Sequence, residues 1–244
     1  MTTLAIIGGT GLGQLAELTA TTRKAIDTPY GKPSADYIIG ELGAREVVFL
    51  ARHGNPHTIP PHKINYRANI WGLKQLGVET IIAVAAVGGI TPAMAPAHLA
   101  IPDQIIDYSY DREHTFFSDT SHPVTHIDFT YPYNPELRDA LIDAATRAGI
   151  AASPSGTYGC TQGPRLESIA EIKRMEQDGC DLVGMTGMPE AALAKELNMR
   201  YAALAVVANW AAGKSDGEIT MSEIEQNLHV GMANAAKVLK MCIA

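Results

Sequence analysis

Short apolar runs alternate with stretches of helical periodicity along most of this chain. Leu4–Gly8, Tyr37–Leu42 and Val47–Ala51 read as strands, and Tyr66–Leu76 reads as a helix stopped by Gly77. Strands at Thr80–Val87 and Gln104–Tyr108 follow. A helix over Pro135–Ala148 then ends at Gly149, with Leu137, Leu141, Ala144 and Ala145 at helical spacing. The pattern next predicts a helix over Ser168–Gln177, a strand over Asp181–Gly184, a helix over Pro189–Leu197 and an apolar strand over Tyr201–Ala208. A final helix, Met221–Met241, carries a stripe of Ile224, Leu228, Ala235, Leu239 and, just past it, Cys242.

Strands alternating with helices argue for an α/β fold, a mixed but largely parallel sheet flanked by helices. No composition shift marks a linker, so residues 1–244 are expected to form a single domain. The stretch Ser109–Tyr133, rich in Asp, His, Thr and Pro, shows no clear element, and a loop of that length is usually functional or a lid.

Composition narrows the class. With 46% apolar and 18% charged residues in 244, the chain is a folded globular protein. A net charge of −7 argues against nucleic acid as the main partner. Apolar runs such as Ile81–Val87 are too short to span a bilayer, and MTTLAIIGG lacks a basic signal-peptide start, so no membrane partner and a cytoplasmic location are expected. Cys160, Cys180 and Cys242 form no CxxC pair and read as structural thiols.

Candidate chemistry sits where strands end. The first strand runs into Gly8-Gly9-Thr10-Gly11-Leu12-Gly13, which suits close backbone approach to an anion, with Thr10 as hydroxyl donor. A dinucleotide fingerprint fits poorly, because Gln14 stands where the third glycine belongs. An ordinary tight turn is the plain alternative. After the third strand comes Arg52-His53-Gly54-Asn55-Pro56-His57-Thr58. Pro56, Pro60 and Pro61 forbid the helix that would align His53 and His57 on a metal, and no acidic ligand is near. Arg52 is better suited to forking an oxyanion, although a solvated loop with incidental histidines is also open. A second small-residue loop, Ala85-Ala86-Val87-Gly88-Gly89, would bring a third strand end to the same crevice, unless it is a purely structural Gly-Gly turn. Gly163-Pro164-Arg165-Leu166-Glu167, Gly184-Met185-Thr186-Gly187-Met188-Pro189-Glu190 and Ala208-Asn209-Trp210 complete the set, and the strand-end amide of Asn209 needs partners that a ligand edge could supply.

With these stretches in view, the chain resembles the purine nucleoside phosphorylase and methylthioadenosine phosphorylase family. The likeness is carried by IIGGTGL (6–12), DTPYGKPS (27–34), ARHG…HTIPPHKINYRANIW (51–71), GPRLES (163–168), GMTGMPEAALAKE (184–196) and the last helix. The resemblance implies a homotrimer that splits a purine nucleoside with inorganic phosphate as co-substrate, without metal or organic cofactor. It implies that Thr10, Arg52, His53, Ala85, Ala86 and Thr186 hold phosphate and that Met185 lies beneath the ribose. Asn209, Trp210 and Ala211 would meet the base, while His126 and Met221 would line the 5′ end of the sugar. Leu166 stands where an aromatic commonly stacks.

The base-end residues depart from the 6-amino pattern of that likeness, which has two aspartates two apart, where this chain has Asn209 and Ala211. An amide can donate to O6 of a 6-oxopurine and accept from a protonated N7, which makes Asn209 the candidate catalytic residue. Ionised Glu167 accepts from the N1–H that oxopurines have and adenine lacks, unless it serves only as a helix-start acid. A soft Met221 suits a methylthio group better than a hydroxyl, unless it simply packs in the core. The expected reaction is therefore phosphorolysis of S-methyl-5′-thioinosine to hypoxanthine and 5-methylthioribose 1-phosphate. Methylthioadenosine or inosine and guanosine are the alternative substrates. An NAD-dependent oxidoreductase and a non-enzymatic nucleotide sensor are the rivals from other classes.

Overall fold

The structure, a computed structural model, describes residues 3–12, 18–119 and 124–243. Its strands are β1 (Thr3–Gly8), β2 (Thr19–Lys24), β3 (Tyr37–Leu42), β4 (Arg45–Ala51), β5 (Val78–Gly89), β6 (Leu99–Ala100), β7 (Gln104–Asp107), β8 (Ala152–Ser153), β9 (Thr157–Cys160), β10 (Leu182–Gly184) and β11 (Arg200–Trp210). The helices are α1 (Tyr66–Gln75), α2 (Pro135–Arg147), α3 (Ile169–Gln177), α4 (Glu190–Glu196) and α5 (Met221–Ile243). The described strands form one sheet in the order β2-β3-β4-β1-β5-β10-β9-β7, and β11 pairs with both β5 and β6. The centre, β4-β1-β5-β11, is parallel throughout. The fold is thus the mixed, largely parallel single-domain α/β architecture expected.

Successive side chains of a strand face opposite sides, so a sheet covered on both sides needs continuous apolar strands. Here Leu4, Ile6, Val47, Phe49, Ile82, Val84, Leu204 and Val206 join the core made with α2 and α5. Their neighbours Ala5, Ile7, Val48, Leu50, Ile81, Ala83, Tyr201 and Ala203 join the core made with α1 and α4. On α5, Leu228, Ala235 and Leu239 are buried. Asn65 and Asn134 cap α1 and α2 through their side chains, and Ser168 with Glu171 forms a reciprocal capping box on α3.

Three readings change. The small-residue stretch 85–89 is not a loop: it is the end of β5, hydrogen-bonded to β10 and β11. The short strands β2, β6, β8 and β9 carry no apolar run that marks them; β2 is exposed along its whole length, as an edge strand can be. In Ser109–Tyr133 the described residues hold no helix or strand, but the beginning is anchored by Arg112, whose guanidinium donates to the carbonyls of Thr161, Gln162, Met185 and Met188. Gly13 and Gln14 lie outside the described residues, as do positions 120–123 of that stretch.

Candidate active site

The carboxyl ends of β1, β4, β5 and β11 open into a cavity of about 520 Å3. That volume lies in the usual range for small-molecule sites. Gly9 and Thr10 come from the turn after β1. Arg52, His53 and residues 57–61 come from the loop after β4, and residues 85–88 from the end of β5. β10 runs antiparallel against that end and brings Gly184, Met185 and Thr186 back to it. Asn209 and Ala211 are supplied by the end of β11 and the residue after it, Leu166 and Glu167 by the approach to α3, and Ile219, Met221, Ile224 and Leu228 by α5 and its approach.

Arg52 is placed differently from the simple expectation of a free fork. Its Nε and Nη2 donate to Glu190 at 2.7 and 2.8 Å, and Nη1 donates to the Val84 carbonyl at 3.1 Å. Both partners of this ion pair are almost solvent-free, at 1% and 0%. Burial alone would make Arg52 easier to deprotonate, but the adjacent carboxylate more than offsets this and keeps it charged. Tyr201 donates its hydroxyl to Glu190 Oε1 at 2.9 Å. Of the five guanidinium N–H groups, two are left for a ligand in the cavity. Gly9 leaves room for Nη1: a Cβ there would stand 3.0 Å from Nη1 and 2.7 Å from the Val84 oxygen. Among the residues lining the cavity, Arg52 is the single Lys or Arg.

His53 is held from both sides by one residue. Its Nδ1 is 2.8 Å from the Ile59 carbonyl, and its own carbonyl accepts from the Ile59 N–H at 3.0 Å. Burial, with the neighbouring Arg52 charge, lowers its pKa to about 4. Its ring stacks on His57, centroids 4.2 Å apart. Thr186 is buried, and its N–H points at the Tyr158 hydroxyl, 3.4 Å away.

On the wall formed by the end of β11, Asn209 follows a register shift in the β11–β5 pairing between Val207 and Asn209. This bulge re-aims the strand end. The carbonyl of Ala208 inside it accepts from Asn227 Nδ2 on α5 at 2.9 Å. Asn209 Nδ2 spends one N–H on the Trp210 carbonyl at 2.7 Å, leaving the other and its oxygen. Glu167 precedes the Ser168 cap of α3 and does not serve as the helix-start acid, a place taken by Glu171. It accepts instead from Thr161 Oγ1 at 2.6 Å, and burial raises its pKa. Met221, 66% exposed, sits at the cavity wall and not in the core.

Of the residues singled out in the sequence, Thr10, Arg52, His53, Ala85, Ala86, Glu167, Met185, Thr186, Asn209, Ala211 and Met221 line this one cavity. Trp210 and His126 do not. Trp210 follows Asn209 on an extended strand and so faces the other way. His126 is exposed, in a stretch without helix or strand, and is not among the residues that line the cavity. Glu190, Tyr201, Arg112 and Asn227 went unassigned in the sequence. A charged residue opening the apolar segment Glu190-Ala191-Ala192-Leu193-Ala194 was the one available sign for Glu190. Among the described residues, no group of three or more His, Cys, Asp or Glu side chains could hold a metal ion, and no helix is long and apolar enough to cross a membrane.

The model of the phosphorylase superfamily matches residues 3–244. A probable S-methyl-5′-thioinosine phosphorylase of Pseudomonas syringae pv. tomato is 58% identical over 239 residues, covering 98% of this chain and 97% of that protein. The 6-oxopurine nucleoside phosphorylase of Pyrococcus furiosus is 46% identical, with coverage of 100% and 92%. Among solved structures, methylthioadenosine phosphorylase from Schistosoma mansoni in complex with adenine superposes with a TM-score of 0.95 at 28% identity, covering 100% of this chain and 91% of that one.

Proposed function

This chain belongs to the phosphorylase superfamily, and from that premise we propose that it cleaves S-methyl-5′-thioinosine with phosphate in purine salvage, releasing hypoxanthine and 5-methylthio-D-ribose 1-phosphate. The observation that carries the substrate is the pairing of Asn209 and Glu167 on the walls of one cavity that also holds the apolar side chains Ile219, Met221, Ile224 and Leu228. The amide and the carboxylate complement the O6 and N1–H of a 6-oxopurine. The apolar group suits a methylthio substituent and offers a 5′-hydroxyl no partner. The likeness to a methylthioadenosine phosphorylase lies in the fold, so the choice of base rests on these side chains.

On this reading phosphate lies among Thr10, Arg52, His53, Thr186 and the backbone of Ala85 and Ala86, with Met185 under the ribose. Breaking the N-glycosidic bond leaves positive charge on the sugar and negative charge on the base. Phosphate at the anomeric carbon is both nucleophile and counter-charge, a matter of position and electrostatics. Because Arg52 is already paired with Glu190, it directs phosphate through its remaining N–H groups without cancelling the charge that the sugar cation needs. As the base departs, N7 takes up the proton that hydrogen phosphate gives up, through solvent, on becoming the sugar phosphate, and Asn209 accepts a hydrogen bond from that N7–H. Inorganic phosphate is the co-substrate, no metal or organic cofactor takes part, and the enzyme works in the cytoplasm. The exposed Leu166 and Met221 at the cavity wall are in keeping with a homotrimer that covers them.

The test is kcat/KM with phosphate for methylthioinosine, methylthioadenosine and inosine, side by side. Methylthioinosine should lead. Methylthioadenosine in front would remove the roles of Asn209 and Glu167, and inosine in front that of Met221.

A further inference from the structure

The ring of His53 has a fixed orientation and only one nitrogen to offer a ligand. A backbone carbonyl can only accept, so the 2.8 Å contact between Nδ1 and the Ile59 oxygen places a proton on Nδ1. The reciprocal bond from the Ile59 N–H to the His53 carbonyl closes the loop on itself, and stacking on His57 blocks one ring face. Buried beside the Arg52 cation, the imidazole is neutral at neutral pH. Nε2 therefore carries a lone pair, in a residue that lines the cavity beside Thr10, Arg52 and Thr186. Arg52 brings donors to the same place, but its charge is balanced by Glu190.

We propose that His53 acts there as a hydrogen-bond acceptor that reads the proton on the incoming oxyanion, so that the site selects tetrahedral anions bearing an O–H over those bearing none. Phosphate and arsenate keep a proton on oxygen at neutral pH; sulfate does not. Against sulfate the Nε2 lone pair faces another lone pair, and a buried polar group is left without a partner. On this proposal His53 does more than hold the anion: it acts as a filter on the co-substrate. This rests on the proposed phosphorolysis only in placing the anion at these residues.

Calorimetric titration of the full chain with phosphate, arsenate and sulfate, without nucleoside and at neutral pH, tests the filter directly. Arsenate should bind within about threefold of phosphate, and sulfate more weakly by at least about tenfold, the size expected for one mismatched buried hydrogen bond. In His53→Gln, whose amide also offers N–H donors, the gap should shrink to less than about threefold. Sulfate within tenfold of phosphate in the unmodified protein, or no binding of phosphate at all, overturns the proposal. Phosphate-dependent purine release is measured separately. Its absence with all three nucleosides would overturn the phosphorolysis reading, whereas sulfate parity with intact turnover overturns only the filter.

Discussion

The two walls of the cavity are built to different standards. On the wall proposed to face the anion, Arg52, His53 and Thr186, with Glu190 paired to Arg52, are nearly solvent-free, and each is tied to a buried side chain or a backbone carbonyl. The wall proposed to face the nucleoside is looser. Asn209 rides on a bulge, Glu167 on a loop, and Leu166 and Met221 are 44% and 66% exposed. The difference separates two tasks. Positioning the reactant shared by every phosphorolysis calls for fixed geometry. Choosing a base and a 5′ substituent calls for side chains that can be exchanged without disturbing the core.

Breaking the stiff wall should cost most. Glu190→Ala strands a buried guanidinium and is expected to destabilise the fold by about 3–5 kcal/mol, read as a lower denaturation midpoint. Arg52→Met with Glu190→Met should recover most of that stability, since a buried pair can be replaced by apolar groups, yet should not recover turnover. Arg52→Ala should raise the phosphate KM, and an unaltered value would remove Arg52 from the site. On the looser wall the fold should survive while preference moves. Asn209→Asp with Ala211→Asp should shift relative kcat/KM toward the 6-amino nucleoside by roughly one to two orders of magnitude. Unchanged ratios would sink the hydrogen-bond argument. Because burial raises the Glu167 pKa, its acceptor form is lost at a higher pH than for an ordinary carboxylate (about 4.3) as the solution is acidified. The acid limb of kcat/KM should lie above that range, and Glu167→Gln should flatten it. The smallest effect is expected for Met221→Ala: stability within about 0.5 kcal/mol, a few-fold higher KM for methylthioinosine, and no change for inosine.

The same contrast explains what could be read from the chain. Central strands announced themselves because both faces are buried, so β1, β4, β5 and β11 appear as apolar runs, and the residues at their ends could be gathered into one crevice. The edge strand β2, Thr-Ala-Thr-Thr-Arg-Lys, has no buried face and left no such trace. Glu190 escaped because its partner lies 138 positions away, a pairing that no local pattern encodes. The bulge at Ala208 depends on how β11 lies against β5, which also decides that Asn209 and Ala211, but not Trp210, reach the cavity. His126 is suggested by likeness alone, and it is not among the residues that line the cavity.

Helix α5 joins two of these features along less than two turns. Met221 opens it at the cavity wall, while Asn227 clasps the Ala208 carbonyl that shapes the end of β11. For anyone redesigning this protein, the helix divides into a part open to variation and a part that must be kept. Positions 221 and 224, with 219 just before the helix, line the cavity and are the ones to randomise for a different 5′ group on the proposed reading. Asn227 belongs outside any such library, because changing it would disturb the strand end that carries Asn209 in every clone and hide the gain being sought.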